Sequence, residues 1–300
     1  MKIGLALGSG SARGWSHIGV INALKREGIE PDIICGSSIG SLVGAAYGCG
    51  NLERLEAWVR SLTRLETARF FELNLSSQGF VNIERFHQFL NTYVAEDDVH
   101  IESLNCGYGA VATELETGRE VWFTGGPLLQ AVWASISLPG LFPAIRHNQH
   151  WLVDGGLVNP VPVSLCRAMG ADVVIAVNLN GDVLSRHQRR SRPAVKAAPA
   201  KNHSGVMGKL TELVGEYTTR LSGSNEPEPP GMFDAIAGSI NIIQDRITRS
   251  RMAGDPPDLL LTPRLADIGL LEFYRAEEAI KEGERAVATM LPGIRHLLQR

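Results

Sequence analysis

The chain has little of what would place it in several large classes of protein. Across 300 residues there are four cysteines, Cys35, Cys49, Cys106 and Cys166. They stand singly among apolar or small neighbours with no CxxC pair, which favours buried free thiols over a disulfide framework or a metal site. Charge of one sign is not in excess either: 29 basic against 32 acidic residues leave a net charge of -3. Nucleic acid is therefore not an expected partner, and attraction to any anionic surface must come from a local patch. No apolar run approaches the ~18 residues of a membrane span; the longest candidates are 39–49 and 173–177. The stretch before the first glycine-rich turn is too short for a signal-peptide core. A cytoplasmic protein is expected, with peripheral contact at the inner face of the membrane as its extension.

What is present is a globular composition, 44% apolar and 20% charged, in a chain long enough to bury a substantial core. Residues 1–300 read as a single α/β domain. Its first half alternates apolar runs with helical patterns: a strand over 2–7, a glycine-rich turn, a helix over about 15–27, a strand over 32–35, a second turn, and a helix from Ile39. That order is the signature of a mainly parallel sheet with helices on both faces. Ile18, Ile21 and Leu24 give the first helix its buried face, and Gly28 stands where a C-terminal stop belongs. Further strands are expected at 108–113, 120–123, 151–153, 173–177 and 259–261.

Composition shifts at about 181–231, where Pro, Ser, Arg and Lys replace the apolar periodicity. Between 185 and 201 stand Arg186, Arg189, Arg190, Arg192, Lys196 and Lys201 with no acidic residue. The segment reads either as a solvated insertion or as an arm meeting anionic lipid head groups at roughly 1 kcal/mol per cation. Within it Val206, Leu210, Leu213, Val214, Tyr217 and Leu221 share helical spacing, as a lid, an interfacial anchor, or a face packed on the core or a second subunit. Helices follow over about 232–300. Phe233, Ile236, Ile240, Ile243 and Ile247 form one apolar stripe. Phe273, Ala276, Ile280, Gly283, Val287 and Met290 form another, against the core or in a homo-oligomer.

The sharpest chemical signal is Gly36-Ser37-Ser38-Ile39-Gly40, set between a strand and a helix. A strand that turns abruptly into a helix needs glycine two positions either side of the apex, where a Cβ would meet neighbouring backbone. Ser38 is the apex, held at a helix N-terminus whose positive end favours negative charge; the bland alternative is a serine that merely caps the helix. Gly8-Ser9-Gly10-Ser11-Ala12-Arg13-Gly14 also links a strand to a helix, and its amides could form an anion-binding nest. A dinucleotide loop fits poorly, because Arg13 falls where the third glycine of that fingerprint belongs. The base is less obvious: His17 reads as structural, and His147 and His150 flank a turn. Asp154 ends the apolar run Trp151-Leu152-Val153 and is followed by Gly155 and Gly156, either a turn residue or a carboxylate held at a strand end.

Together these motifs resemble the patatin-like phospholipase family, and within it the bacterial proteins similar to neuropathy target esterase. The resemblance covers residues 2–179: KIGLALGSGSARGWSHIGV, CGSSIGSLVGAAY, ASISLPGLFPA at 134–144 and VDGGLVNPVPV at 153–163, with Asp255-Pro256-Pro257-Asp258 similar as well. It implies a three-layer α/β/α sandwich with a nucleophile elbow. It also implies a serine–aspartate dyad without histidine, metal or cofactor: Ser38 the nucleophile, Asp154 the base, and the 8–14 loop the oxyanion hole. The implied activity is hydrolysis of fatty acyl esters of phospholipids or lysophospholipids. A short-chain esterase, thioesterase or acyltransferase, or a non-catalytic regulatory adaptor, are the alternatives. Many family members carry an unbroken glycine run where this chain has Ser9 and Ser11; a positive φ at either would be strained by ~1 kcal/mol or more.

Overall fold

The computed structural model describes residues 1–70, 82–182 and 232–299. The expected insertion, apart from Gly181 and Asp182, and its apolar helix lie outside them. Eight strands form one sheet: β1 (Ile3–Leu7), β2 (Ile33–Ser37), β3 (Gly107–Glu114), β4 (Glu120–Phe123), β5 (Ile145–His147), β6 (His150–Asp154), β7 (Val173–Val177) and β8 (Leu259–Leu261). The hydrogen-bonding path runs β5-β6-β3-β2-β1-β7-β8, with β4 also on β3. Pairings from β3 through β8 are parallel, whereas β4, β5 and β6 join antiparallel. The strands at 120–123, 173–177 and 259–261 lie where expected. The short β5 was not foreseen; it forms a hairpin with β6 across Asn148 and Gln149, both at positive φ, between the two histidines placed at a turn.

Two apolar layers cover the sheet, and the two-residue period of the strands assigns side chains to each. Leu5, Leu7, Ile34, Ile175 and Val177 face one layer, built with helices α1 (Ser16–Arg26), α2 (Ile39–Gly48), α3 (Leu52–Ser61), α5 (Ile83–Tyr93), α6 (Leu128–Ile136) and α9 (Ala276–Leu298). Ala6, Ile33, Cys35, Val174 and Ala176 face the other, packed by α7 (Val163–Ala168) and by Met252 of α8 (Met232–Gly254). A short α4 (Arg64–Phe70) follows α3. This is the expected three-layer α/β/α sandwich with a mainly parallel central sheet. Among the described residues no helix is long and apolar enough to cross a membrane.

The C-terminal seam packs on the molecule's own core through Ala276, Ile280, Gly283 and Val287, while Met290 at its end is exposed. α9 crosses α1 so closely that a Cβ on Gly19 would lie 2.0 Å from Ile280 O, and one on Gly283 2.0 Å from Ser16 O. Glycine is needed at both crossing points because the backbones touch there. The α8 stripe behaves otherwise. Of its residues Ile236 and Ile243 are exposed, and the buried positions of the helix are Gln244, Asp245 and Thr248. The periodicity fits a helix, and of the stripe Ile240 lines the same cleft as Gln244, so the inward face is mixed, apolar at Ile240 and polar at Gln244, Asp245 and Thr248. The Asp-Pro-Pro-Asp segment braces the β7–β8 edge: Val174 N donates to Asp258 Oδ2, and Arg167 pairs with both Asp255 and Asp258.

Candidate active site

Gly36 and Gly40 make the turn between β2 and α2 geometrically accessible. A Cβ on Gly36 would lie 2.3 Å from Ser41 N, and one on Gly40 2.2 Å from Leu7 O. Ser38 takes φ 54° and ψ -126°, a sparsely populated conformation for a residue with a side chain, so its neighbours must hold it. They do so from both sides. Ser38 N donates to Ser135 Oγ of α6 at 2.9 Å, and Ser38 O accepts from Ser41 Oγ at 2.7 Å and from Ser41 N at 2.9 Å.

Ser38 Oγ donates to Asp154 Oδ2 at 2.5 Å. The other carboxylate oxygen accepts from Gly156 N at 2.7 Å, and the Asp154 carbonyl accepts from Thr113 Oγ1 at 2.8 Å. Asp154 is 1% exposed. Burial disfavours its charged form and pushes its pKa up to about 6, against the opposing pull of the hydrogen bonds from Ser38 and Gly156. A carboxylate so placed is more basic than one in water, which suits it to take a hydroxyl proton. His17 stands apart: its Nε2 meets Gly8 O at 2.7 Å, and full burial lowers its pKa to about 4. It is a neutral structural residue, as its apolar helix suggested.

The 8–14 loop is sorted by its backbone bonds. Gly8 N and Ser9 N donate to Val177 O and Pro160 O, Ala12 N to Leu270 O, and Arg13 N to Gly10 O. The amides of Gly10 and Ser11 have no acceptor among the described residues, and both residues line the cleft with Ser38 and Asp154. Ser11 is at φ 53° and Ser9 is not at positive φ, so the strain anticipated from the departure falls on Ser11, whose Oγ donates to Leu270 O at 2.7 Å. Arg13 turns away from the cleft. Its guanidinium, 2% exposed, donates to Asn180 Oδ1 at 2.9 Å and Asn241 Oδ1 at 3.0 Å, and desolvation lowers its pKa to about 10. It remains charged at neutral pH and adds positive potential behind the loop.

The cleft beside Ser38 and Asp154 is walled by Leu42, Trp58, Leu62, Phe86, Phe89 and Phe142 among others. Phe86 packs against Phe142 and Trp133. Such a wall suits an apolar chain rather than a charged group. Away from the cleft, Glu114, Glu116 and His150 bring ligand-type atoms within 4.8 Å of one another at the surface.

Sequence reasoning missed Ser135, Thr113, Asn180, Asn241 and Gln244. Ser135 lies in the quoted ASISLPG segment, which could have drawn attention to it. The polar face of α8 had no comparable signal, because Asn and Gln on a helix ordinarily face solvent.

A model of the patatin-like phospholipase family matches residues 5–167. The chain is similar to the NTE family protein Mb1092c of Mycobacterium bovis, 33% identical over 328 residues that cover 96% of this chain and 90% of that protein. It is also similar to lysophospholipase NTE1 of Mycosarcoma maydis, 34% identical over 302 residues, and of Coccidioides immitis, 27% identical over 290 residues. Those alignments cover 98% and 94% of this chain but only 15% and 17% of the fungal proteins. With more than half its length matched by the family model, and a relative of like extent throughout, this chain belongs to the patatin-like phospholipase family.

Proposed function

We propose that the protein is a serine-dependent lipid ester hydrolase that releases fatty acyl chains from phospholipids or lysophospholipids. The observation that carries this reading is the 2.5 Å hydrogen bond from Ser38 Oγ to the buried Asp154 carboxylate at the end of an apolar cleft. Ser38 Oγ attacks the ester carbonyl while its proton passes to Asp154. The tetrahedral oxyanion is held by the Gly10 and Ser11 amides, and Asp154 returns the proton to the departing alcohol. Water then attacks the acyl-serine, Asp154 again taking the proton, and the fatty acid leaves. No histidine is needed if the base is raised toward neutrality and the amides stabilise the developing charge, donors of this kind contributing ~10²–10³-fold each. The lysophospholipase relatives and the aromatic wall of the cleft favour a long acyl chain over the short-chain alternative.

The test is covalent labelling by a fluorophosphonate probe. Wild type should label, Ser38→Ala should not, and Asp154→Ala should label far more slowly. A folded wild type that fails to label would turn the reading to the non-catalytic adaptor. Rates on short and long acyl esters separate the lipid hydrolase from a short-chain esterase.

A further inference from the structure

Release of the fatty acid needs a water beside Asp154, and three polar groups converge there. A Cβ on Gly156 would lie 2.5 Å from Gln244 Nε2, 2.9 Å from Asp154 Oδ1 and 2.9 Å from Ser9 Oγ. Ser9 Oγ is buried and has no hydrogen-bond partner among the described residues. Gln244 is 5% exposed and lines the cleft with Ser38 and Asp154. Its Oε1 accepts from Asn180 Nδ2 at 3.0 Å, which orients the side-chain amide and leaves Nε2 as a donor with no acceptor among the described residues.

Polar atoms this close together that do not bond one another directly are within reach of one bridging water, which takes two to four such partners. A side chain at position 156 would collide with all three groups, so glycine is what lets them approach one another. We propose that Ser9 Oγ and Gln244 Nε2, together with Asp154 Oδ1, hold the water that resolves the acyl-enzyme; the inference rests on the Ser38–Asp154 reading above. The water oxygen bonds to the acyl carbonyl carbon while one of its protons passes to Asp154. The tetrahedral adduct collapses by breaking the carbon–oxygen bond to Ser38, and Ser38 Oγ takes the proton back from Asp154. Ser9 thereby becomes a water-positioning residue, and the buried Gln244 of α8 acquires a role.

The experiment mixes enzyme with one equivalent of p-nitrophenyl octanoate. Nitrophenolate release in the first turnover reports acylation, and intact mass reports decay of the acyl adduct. In Ser9→Ala and Gln244→Leu the adduct should persist roughly tenfold longer, with the first-turnover release changed less than about threefold. Ser9→Ala is the sharper variant, because its hydroxyl has no protein partner to lose and a merely structural role would leave both rates unchanged. Unchanged adduct lifetimes, or equal slowing of both steps in both variants, would overturn the water site while leaving the dyad standing. A wild type that neither releases nitrophenolate nor labels with fluorophosphonate would instead remove the dyad reading, and the water site with it.

Discussion

Ser37 and Asp154 end two strands that approach each other head to head, opposite the consecutive β3 residues Val111 and Ala112. β4 occupies β3 from Ala110 to Thr113 along one edge, so β2 and β6 must share the other. β2 arrives parallel to β3 and β6 antiparallel, and each stops where the other begins. Ser38, which follows Ser37 directly, and Asp154, 116 residues apart in sequence, are thus brought together by register within one sheet edge. Gly155 fills the junction: a Cβ there would lie 2.1 Å from Val111 O and 3.1 Å from Ser37 Oγ.

Gly155→Ala should therefore disrupt the junction itself, costing ~3 kcal/mol or more because the clash is with backbone. Gly19→Ala, whose Cβ would meet Ile280 O at the α1–α9 crossing, is the matched control. Both variants should melt at lower temperature. Only Gly155→Ala should also lose fluorophosphonate reactivity per folded molecule. Equal reactivity in the two would mean that the strand-end geometry does not position the dyad.

Raised to about 6, the Asp154 pKa sets the pH dependence. Activity requires the carboxylate, so kcat/KM should fall as pH drops through about 6. Stability runs the other way. A folded pKa above the unfolded value, ~4 for aspartate, gives a contribution fully present below pH ~4 and lost as pH rises through about 6. Asp154→Asn should thus stabilise the protein above pH 6, on the order of 2–3 kcal/mol, while abolishing turnover. Urea unfolding of both proteins at pH 4.5 and pH 8 checks this: the gap should widen with pH, and a gap that narrows would mean the carboxylate is not destabilised by burial.

Ser11 carries both a strain and a compensation. Its φ of 53° costs a side-chain-bearing residue ~1–2 kcal/mol, and its hydroxyl bond to Leu270 O returns ~1 kcal/mol. Ser11→Gly removes both and loosens the unfolded chain, so its stability should lie within about 1 kcal/mol of wild type. Ser11→Ala keeps the strain without the bond and should fall below both, by ~1 kcal/mol relative to wild type. Thermal melts of the three proteins give the order; an alanine variant at least as stable as wild type would show that the Leu270 contact contributes nothing.

Much of the sandwich was legible in the sequence, as were Ser38 and Asp154, the two residues that one hydrogen bond joins, because strong local constraints mark their positions. Gly36 and Gly40 mark a turn that only glycine permits, and Trp151-Leu152-Val153 before Asp154 marks a strand end. Local rules do not reach long-range partnership. Nothing in residues 8–14 distinguishes amides that bond to Val177, Pro160 or Leu270 from the two with no acceptor among the described residues, since those acceptors lie far along the chain. The α8 stripe misled for a related reason: Ile236 and Ile243 obey the helical period, yet burial follows Gln244, whose partner Asn180 sits 64 residues away.

Ile240 precedes Gln244 by one helical turn on the same face of α8, and it lines the cleft. An acyl chain seated on Ser38 must pass apolar surface of this kind as it extends from the dyad. Ile240→Asp places a charge on that wall, where an unpaired carboxylate is poorly tolerated against a methylene chain. Each buried methylene contributes ~0.8 kcal/mol, so losing contact with two or three should raise KM for long-chain esters roughly tenfold or more. Short-chain esters, which end before this turn, should keep their KM. Kinetics on p-nitrophenyl butyrate and laurate distinguish the outcomes: a matched loss on both would place Ile240 at the reacting centre, and no loss on either would mean that the acyl chain leaves the dyad along the Phe86 and Phe142 side of the cleft instead.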